Sequence, residues 1–282
     1  MSAKVITPHN SAPAPGQLAS RYGRWAVIAG ASDGIGAEFA RQVAAAGIHC
    51  VLVARRQGAL EEIGRELQRQ YRVDSRIAAI DLSLTNAAEL LEAATADLDV
   101  GLFVYNAGAD PSGRRFIAAP LEYWQALLSR NVSTLTSTTY AFARRMAAAR
   151  KGGIVLVGSY AAFGGADRLS VYSATKAFDL NFGESLWAEL SRYDVDVLNV
   201  LIATADTPTA RRWRQRNQIP AGALPFDQPV DIVREALASL SQGPTLILGG
   251  DDVTGHPFCS NDARRKSVIE TSRHLSRFYG KD

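Results

Sequence analysis

The chain has 282 residues, 47% hydrophobic and 21% charged, a composition that fits one large α/β domain. A formal net charge of +3 is too near balance to favour nucleic acid, and two cysteines, Cys50 and Cys259, exclude a disulfide framework and suit a reducing cytoplasm. No apolar run approaches the ~20 residues needed to span a bilayer, so no membrane attachment is expected. The first twenty residues mix Pro, Ala, Ser and Gly without the apolar core of a signal peptide. Residues 1–22 are therefore expected to form a flexible N-terminal arm, and residues 23–282 a single domain.

From Arg24 onward, short β-branched runs alternate with longer helical patterns. Strands are expected over Arg24–Gly30, Ile48–Ala54, Val73–Asp81, Val100–Gly108, Gly152–Ser159, Asp194–Ala203 and Thr245–Gly250. Helices are expected over Ala37–Ala46, Gln57–Tyr71, Asn86–Asp97, Leu121–Ala149 and Val171–Leu190. Strands that are nearly continuous apolar runs are buried on both faces, with the intervening helices as covering layers. The alternation predicts an α/β fold with a doubly wound parallel sheet of about seven strands and helices on both faces. Residues 204–229, rich in Arg, Pro, Gln and Gly, interrupt that pattern and read as a substrate lid.

Directly after the first strand, "AGASDGIGAEFA" places Gly30, Gly34 and Gly36 ahead of a helix. Glycine lets the backbone turn sharply and approach a pyrophosphate, and the helix N-terminus offers free N–H groups and a positive dipole end. A dinucleotide site is expected there. An acidic residue closing the second strand would bind an adenosine ribose and repel a 2′-phosphate. Here "LVARRQ" supplies Ala54, Arg55 and Arg56 instead, and guanidinium suits phosphate, so NADP(H) is the expected cofactor.

Further polar residues fall at the carboxyl ends of later strands, where ligands bind in such sheets. Asn106 closes the fourth in "YNAG", and Ser159 closes the fifth in "IVLVGSYAAF". Asn131 lies within the long expected helix over Leu121–Ala149. In "VYSATKAF", Tyr172 and Lys176 are four residues apart, hence on one helix face. Reducing a ketone requires hydride at carbon and a proton at oxygen. A free phenol, with a pKa of ~10, exchanges protons poorly near neutrality, and a cation held beside it favours the phenolate.

With Gly30, Gly34 and Gly36, Asn106 to Gly108, and the spaced set Asn131, Ser159, Tyr172 and Lys176, the sequence resembles the short-chain dehydrogenase/reductase family from about Arg24 to Thr207. The resemblance implies a Rossmann-type catalytic domain and an oxidoreductase acting on a ketone or secondary alcohol. It implies Tyr172 as general acid in reduction and base in oxidation, and Lys176 on the nicotinamide ribose. Ser159 would bond the substrate oxygen, and Asn131 would hold a water that relays protons to Lys176. It further implies cofactor contacts from Ser32, Asp33, Ile35, Asp81, Leu82, Asn106, Ala107, Gly108 and Thr207, and pairing into a homodimer or homotetramer. Three departures from the family pattern stand out: Ala29 for a usual Thr, Tyr105 for a usual Asn, and Ile202-Ala203 for a usual Pro-Gly. The last bears on the path of the loop that carries Thr207.

In the lid, Arg211, Arg212, Arg214 and Arg216 surround Trp213. They read either as a basic rim for an acidic substrate or as the solvated face of an amphipathic helix. Tyr160, Phe163, Leu169 and Trp213 are candidates for an apolar wall, which suits a bulky apolar ketone. Residues 256–282 read as a C-terminal helical extension with Val268, Ile269, Leu275 and Phe278 available for packing. His256 and His274 lack metal-ligand spacing, so no metal is expected. An NAD-dependent hydroxysteroid-type dehydrogenase and a non-catalytic NADP(H)-binding scaffold or sensor stay open as alternatives.

Overall fold

In the computed structural model the apolar runs pair into one seven-stranded parallel sheet. It describes residues 17–110, 112–216, 218, 226–248, 261–266 and 269–270. In chain order the strands are β1 (Trp25–Ala29), β2 (His49–Ala54), β3 (Ser75–Ala79), β4 (Val100–Tyr105), β5 (Gly152–Val157), β6 (Val195–Leu201) and β7 (Thr245–Ile247). Their order across the sheet is β3-β2-β1-β4-β5-β6-β7. The order reverses between β1 and β4, which opens a crevice at the carboxyl ends of those two strands.

The central strands β4 and β5 are buried at every position, and helices cover both faces. One layer contains α2 (Gly34–Ala45), α3 (Gln57–Tyr71) and α9 (Pro229–Ser239), which bury Phe39, Leu60 and Ile232 against the sheet. The opposite layer contains α4 (Ala87–Ala94), α5 (Leu121–Leu128), α6 (Leu135–Ala149) and α7 (Ser170–Leu190), packed through residues such as Leu91, Phe142 and Leu190. Among the described residues, no helix is long and apolar enough to cross a membrane.

Two expectations change here. Residues Gln17–Tyr22 are a short helix, α1, and belong to the fold rather than to an arm. Leu18 and Tyr22 are buried, and the Tyr22 hydroxyl donates to Asp196 Oδ2 at 2.8 Å. A Cβ on Gly101 would lie 1.6 Å from the Tyr22 carbonyl oxygen, so glycine in β4 is what allows α1 to dock. The rest of the expected arm, residues 1–16, lies outside the described residues.

The expected helix over Leu121–Ala149 is not continuous. Between α5 and α6, Ser129–Thr134 form a π-helical segment that includes Asn131. Widening one turn re-aims the side chains within it, and such segments recur at functional sites.

Candidate active site

The glycine loop is held by its neighbours before any ligand is considered. Asn106 Nδ2 donates to the Gly30 carbonyl at 3.1 Å, and Asn106 N donates to Ala29 O at 2.9 Å. A Cβ on Gly36 would lie 2.1 Å from the Gly30 oxygen and 2.7 Å from Asn106 Nδ2, so only glycine fits there. Asp33 occupies the N-cap position of α2, yet its side chain makes no capping bond. It turns instead to Arg56, whose Nη2 lies 2.7 Å from Asp33 Oδ2 and 3.1 Å from Ser32 Oγ. The first N–H groups of α2 are thus left for an anion, and the residues present fit the pyrophosphate of a dinucleotide.

Two adjoining cavities, of about 750 Å³ and 820 Å³, share Asp33, Asn106, Gly108 and Trp213 in their walls and form one cleft. The first is bordered by Gly30, Ser32, Arg55, Arg56, Asp81, Leu82 and Ala107. The second is bordered by Gly34, Ile35, Ser159, Tyr172, Lys176 and Thr207. Gly36 and Asn131 stand behind the wall as supports. Arg55 is exposed, with its Nη1 4.0 Å from Asp81 Oδ2. Burial acts to raise the Asp81 carboxyl, but bonds from the Ser83 N–H and O–H and the nearby arginines hold it below the usual carboxylate range.

At the other end of the cleft, α7 carries Tyr172 and Lys176 on one face, with Lys176 Nζ 5.9 Å from the centre of the Tyr172 ring. Ser159 follows β5 and caps a 3-10 turn over Tyr160–Phe163, its Oγ accepting from Ala161 N at 3.2 Å. Capping and lining are both fulfilled, since an accepting hydroxyl keeps its own proton to donate. Asn131 is buried and donates through Nδ2 to Gly108 O at 3.0 Å and to Thr175 Oγ1 at 2.9 Å. Thr207 Oγ1 accepts from Ala210 N at 3.1 Å, capping the lid helix α8 (Pro208–Arg216). A Cβ on Gly34 would lie 2.9 Å from the Thr207 methyl, so this loop rests against the glycine loop despite Ile202-Ala203.

Within the expected lid, Pro208–Arg216 form a helix whose arginines divide, and residues 217 and 219–225 lie outside the described residues. Arg211 and Arg214 pair with Asp206 at 2.8 Å and 3.2 Å, while Arg212 and Arg216 border the first cavity, beside Arg55 and Arg56. Leu169 and Trp213 line the second cavity as anticipated. Tyr160 and Phe163 do not; they pack against Leu180, Leu201 and Ile247. In the expected C-terminal extension, residues 261–266 are helical and Arg264 Nη2 donates to Glu184 Oε2 at 2.9 Å, tying this stretch to α7. Val268, Leu275, Phe278, His256 and His274 lie outside the described residues, within which no group of metal-ligating side chains occurs.

Sequence reading missed Arg130 and Asp179. Arg130, in the π segment, borders the first cavity and donates to Ala109 O at 3.1 Å; burial pulls its guanidinium below the ordinary arginine value. Its carbonyl accepts from the Tyr105 hydroxyl at 2.6 Å, so the unusual Tyr105 props the π segment from β4. Asp179 accepts from Lys176 Nζ at 2.8 Å. An i, i+3 spacing of opposite charges was the available signal for that contact.

A parallel sheet of this order, with a glycine loop at its reversal point and polar side chains at its strand ends, defines a dinucleotide-binding oxidoreductase fold. The chain belongs to the short-chain dehydrogenase/reductase family: the family profile described as short chain dehydrogenase matches residues 24–218. A 7beta-hydroxysteroid dehydrogenase of Mediterraneibacter gnavus is 30% identical over 238 residues, 82% of this chain and 88% of that protein. Among solved structures, a short-chain dehydrogenase from Sphingobium yanoikuyae in complex with NADPH superposes with a TM-score of 0.75 at 26% identity, covering 90% of this chain and 95% of that one. The bulky-bulky ketone specific alcohol dehydrogenase from Comamonas testosteroni superposes with a TM-score of 0.73 at 25% identity, covering 92% and 95%.

Proposed function

We propose that this oxidoreductase is an NADP(H)-dependent carbonyl reductase, reversible as a secondary alcohol dehydrogenase, acting on a bulky and largely apolar ketone. The observation that carries this reading is the convergence of Ser159, Tyr172 and Lys176 on the wall of a cavity that also exposes Gly34 and Ile35 of the glycine loop.

Arg55 and Arg56 would hold the 2′-phosphate, the N–H groups at the start of α2 the pyrophosphate, Asp81 and Leu82 the adenine end, and Thr207 and Lys176 the nicotinamide end. When bound, NADP(H) supplies or takes up the hydride at the substrate carbon. Ser159 donates its hydroxyl to the substrate oxygen and orients the carbonyl. Tyr172 passes its phenolic proton to that oxygen as negative charge develops there, and recovers a proton from it in the oxidation direction. The Lys176 ammonium sets a positive charge 5.9 Å from the centre of the Tyr172 ring, on the side of the developing negative charge. Asn131, clamped between Gly108 and Thr175, shapes the space beside Lys176 where a water relays the proton onward. Leu169 and Trp213 give the substrate cavity an apolar wall, which suits a large carbonyl compound. The NADPH bound in the Sphingobium relative and the bulky ketones of the Comamonas relative support cofactor and substrate class alike.

The test is a panel of bulky ketones and secondary alcohols, followed by cofactor absorbance with NADPH and NADH in parallel. Turnover is expected with NADPH, lost by a factor of roughly 10² to 10⁴ in Tyr172→Phe, with NADPH binding retained. Wild-type turnover that survives in Tyr172→Phe would remove the assigned acid–base role. Preference for NADH would turn the cofactor assignment toward NAD.

A further inference from the structure

Lys176 is buried, with a relative exposure of 4%, and so is Asp179 at 2%. The ammonium donates to Val157 O at 3.0 Å and to Asp179 Oδ2 at 2.8 Å. An ammonium has three N–H donors, so these two bonds leave one. The space left to it lies at Gly108, where an added Cβ would be 3.2 Å from Lys176 Nζ and 3.3 Å from Asn131 Oδ1. Asp179 is thus the side chain that accounts for the direction of the lysine.

We infer that Asp179 is a positioning residue for Lys176: from one helical turn along α7 it keeps the buried ammonium charged and turns its remaining N–H toward the cleft. This inference rests on the acid–base reading of Tyr172 and Lys176 given above. The pairing and its surroundings support it. A buried ammonium is unstable unless paired, since leaving water costs several kcal/mol. No other carboxylate bonds Lys176 among the described residues, whose neighbours are Tyr172 on α7, Val157 on β5, Arg130 and Asn131 in the π segment, and Gly108 after β4. Asp179 in turn faces Tyr105 of β4 as well as the lysine. The other carboxylate oxygen, Oδ1, is buried with no hydrogen-bond partner in the described residues. A carboxylate kept for packing alone would satisfy both oxygens, because an unpaired buried acceptor destabilises the fold. Burial alone would draw Lys176 toward its neutral form, but the charges of Asp179 and Tyr172 outweigh that and hold its pKa above the ordinary lysine value.

The chain has only five lysines, Lys4, Lys151, Lys176, Lys266 and Lys281, so the Lys176 side-chain Cε and Nζ resonances can be assigned by comparison with Lys176→Met. In the full-length wild-type protein, Lys176 is expected to remain protonated past the ~10.4 midpoint of an ordinary lysine. In Asp179→Asn the midpoint should fall below that value. Asp179→Glu keeps the charge and should keep the high midpoint, which guards against a variant that fails to fold. With a ketone turned over by the wild type, Asp179→Asn should lower kcat at neutral pH by roughly a hundredfold and move the pH profile, with KM little changed. A purely structural carboxylate would lower Tm and leave both the lysine titration and the pH profile in place. Ordinary titration of Lys176 in the wild type, or an unmoved midpoint in Asp179→Asn, overturns the inference while Tyr172-dependent turnover still stands. Loss of that dependence would remove the underlying reading instead.

Discussion

Asn131 and Thr175 meet side chain to side chain at 2.9 Å across a separation of forty-four residues. The Thr175 hydroxyl that accepts from Asn131 Nδ2 also donates to the Tyr172 carbonyl at 2.8 Å. A continuous hydrogen-bonded path therefore runs from the π segment to the backbone of the tyrosine. Asn131 is 1% exposed, and its amide N–H groups bond Gly108 O and Thr175 Oγ1. The π segment brings this side chain to α7, and Thr175 fixes which way its amide faces.

Thr175→Val keeps the side-chain shape and removes the acceptor. One N–H of the buried Asn131 amide then loses its partner, a destabilisation of about 1–3 kcal/mol. Urea unfolding should show that loss. A fall in kcat with KM retained should accompany it, because Asn131 can then rotate away from Gly108. Unchanged stability in Thr175→Val would mean that the amide finds another partner and that this path does not set its orientation.

Arg55 and Arg56 have different surroundings, so their substitutions should separate. Arg56 is engaged with Ser32 and Asp33 and helps to hold the glycine loop. Arg55 has one carboxylate at 4.0 Å and is otherwise turned to solvent at the mouth of the cleft. A charge-assisted hydrogen bond contributes ~1.5–3 kcal/mol, so Arg55→Ala should weaken NADPH by about tenfold or more and spare NADH. Arg56→Ala should weaken both, NADPH the more, since it loosens the loop common to both and removes a partner of the 2′-phosphate. Titration of the two cofactors into each variant, followed by nucleotide fluorescence, reads both effects. Equal losses for NADPH and NADH in Arg55→Ala would count against a 2′-phosphate contact there.

Apolar periodicity was enough to locate the strands, because a buried parallel strand leaves an unmistakable run such as Ile154–Val157. The spacing of Tyr172 and Lys176 was equally readable, since one helix decides it locally. What escaped was set by contacts distant in sequence. The helix α1 is only six residues long and follows a Pro- and Ala-rich stretch; its order comes from Tyr22 lodging over Gly101 and Gly153. The π segment obeys the same helical pattern as its flanks, and only the Tyr105 bond to Arg130 O and the Asn131 contacts reveal it. Nor does a run of four arginines disclose its division. Asp206 neutralises two of them, and the turn of α8 directs the other two to the cleft.

Cys50 offers a check on the core that is independent of catalysis. It lies in β2 at 0% exposure, with its Sγ 3.6 Å from Ile48 O and 3.8 Å from Ala40 O. Burial pushes its thiol up to about 12. Alkylation proceeds through the thiolate, which at pH 8 would be on the order of one part in ten thousand. In a Cys259→Ser background the folded protein should resist iodoacetamide, and urea should expose a single reactive thiol. The same shift links stability to pH. The folded-state value lies above the unfolded value of ~8.5, so the unfolded chain loses this proton first as pH rises. The contribution of the protonated thiol is therefore fully present below about pH 8.5 and is lost progressively up to about pH 12. Between pH 7.5 and pH 10 the wild type should lose about 1–2 kcal/mol more than Cys50→Ala, read as the difference in urea midpoints. Parallel midpoints for the two proteins across that range, or rapid alkylation of the native thiol, would show that β2 admits solvent at Cys50 and that the sheet is less tightly closed there than its packing indicates.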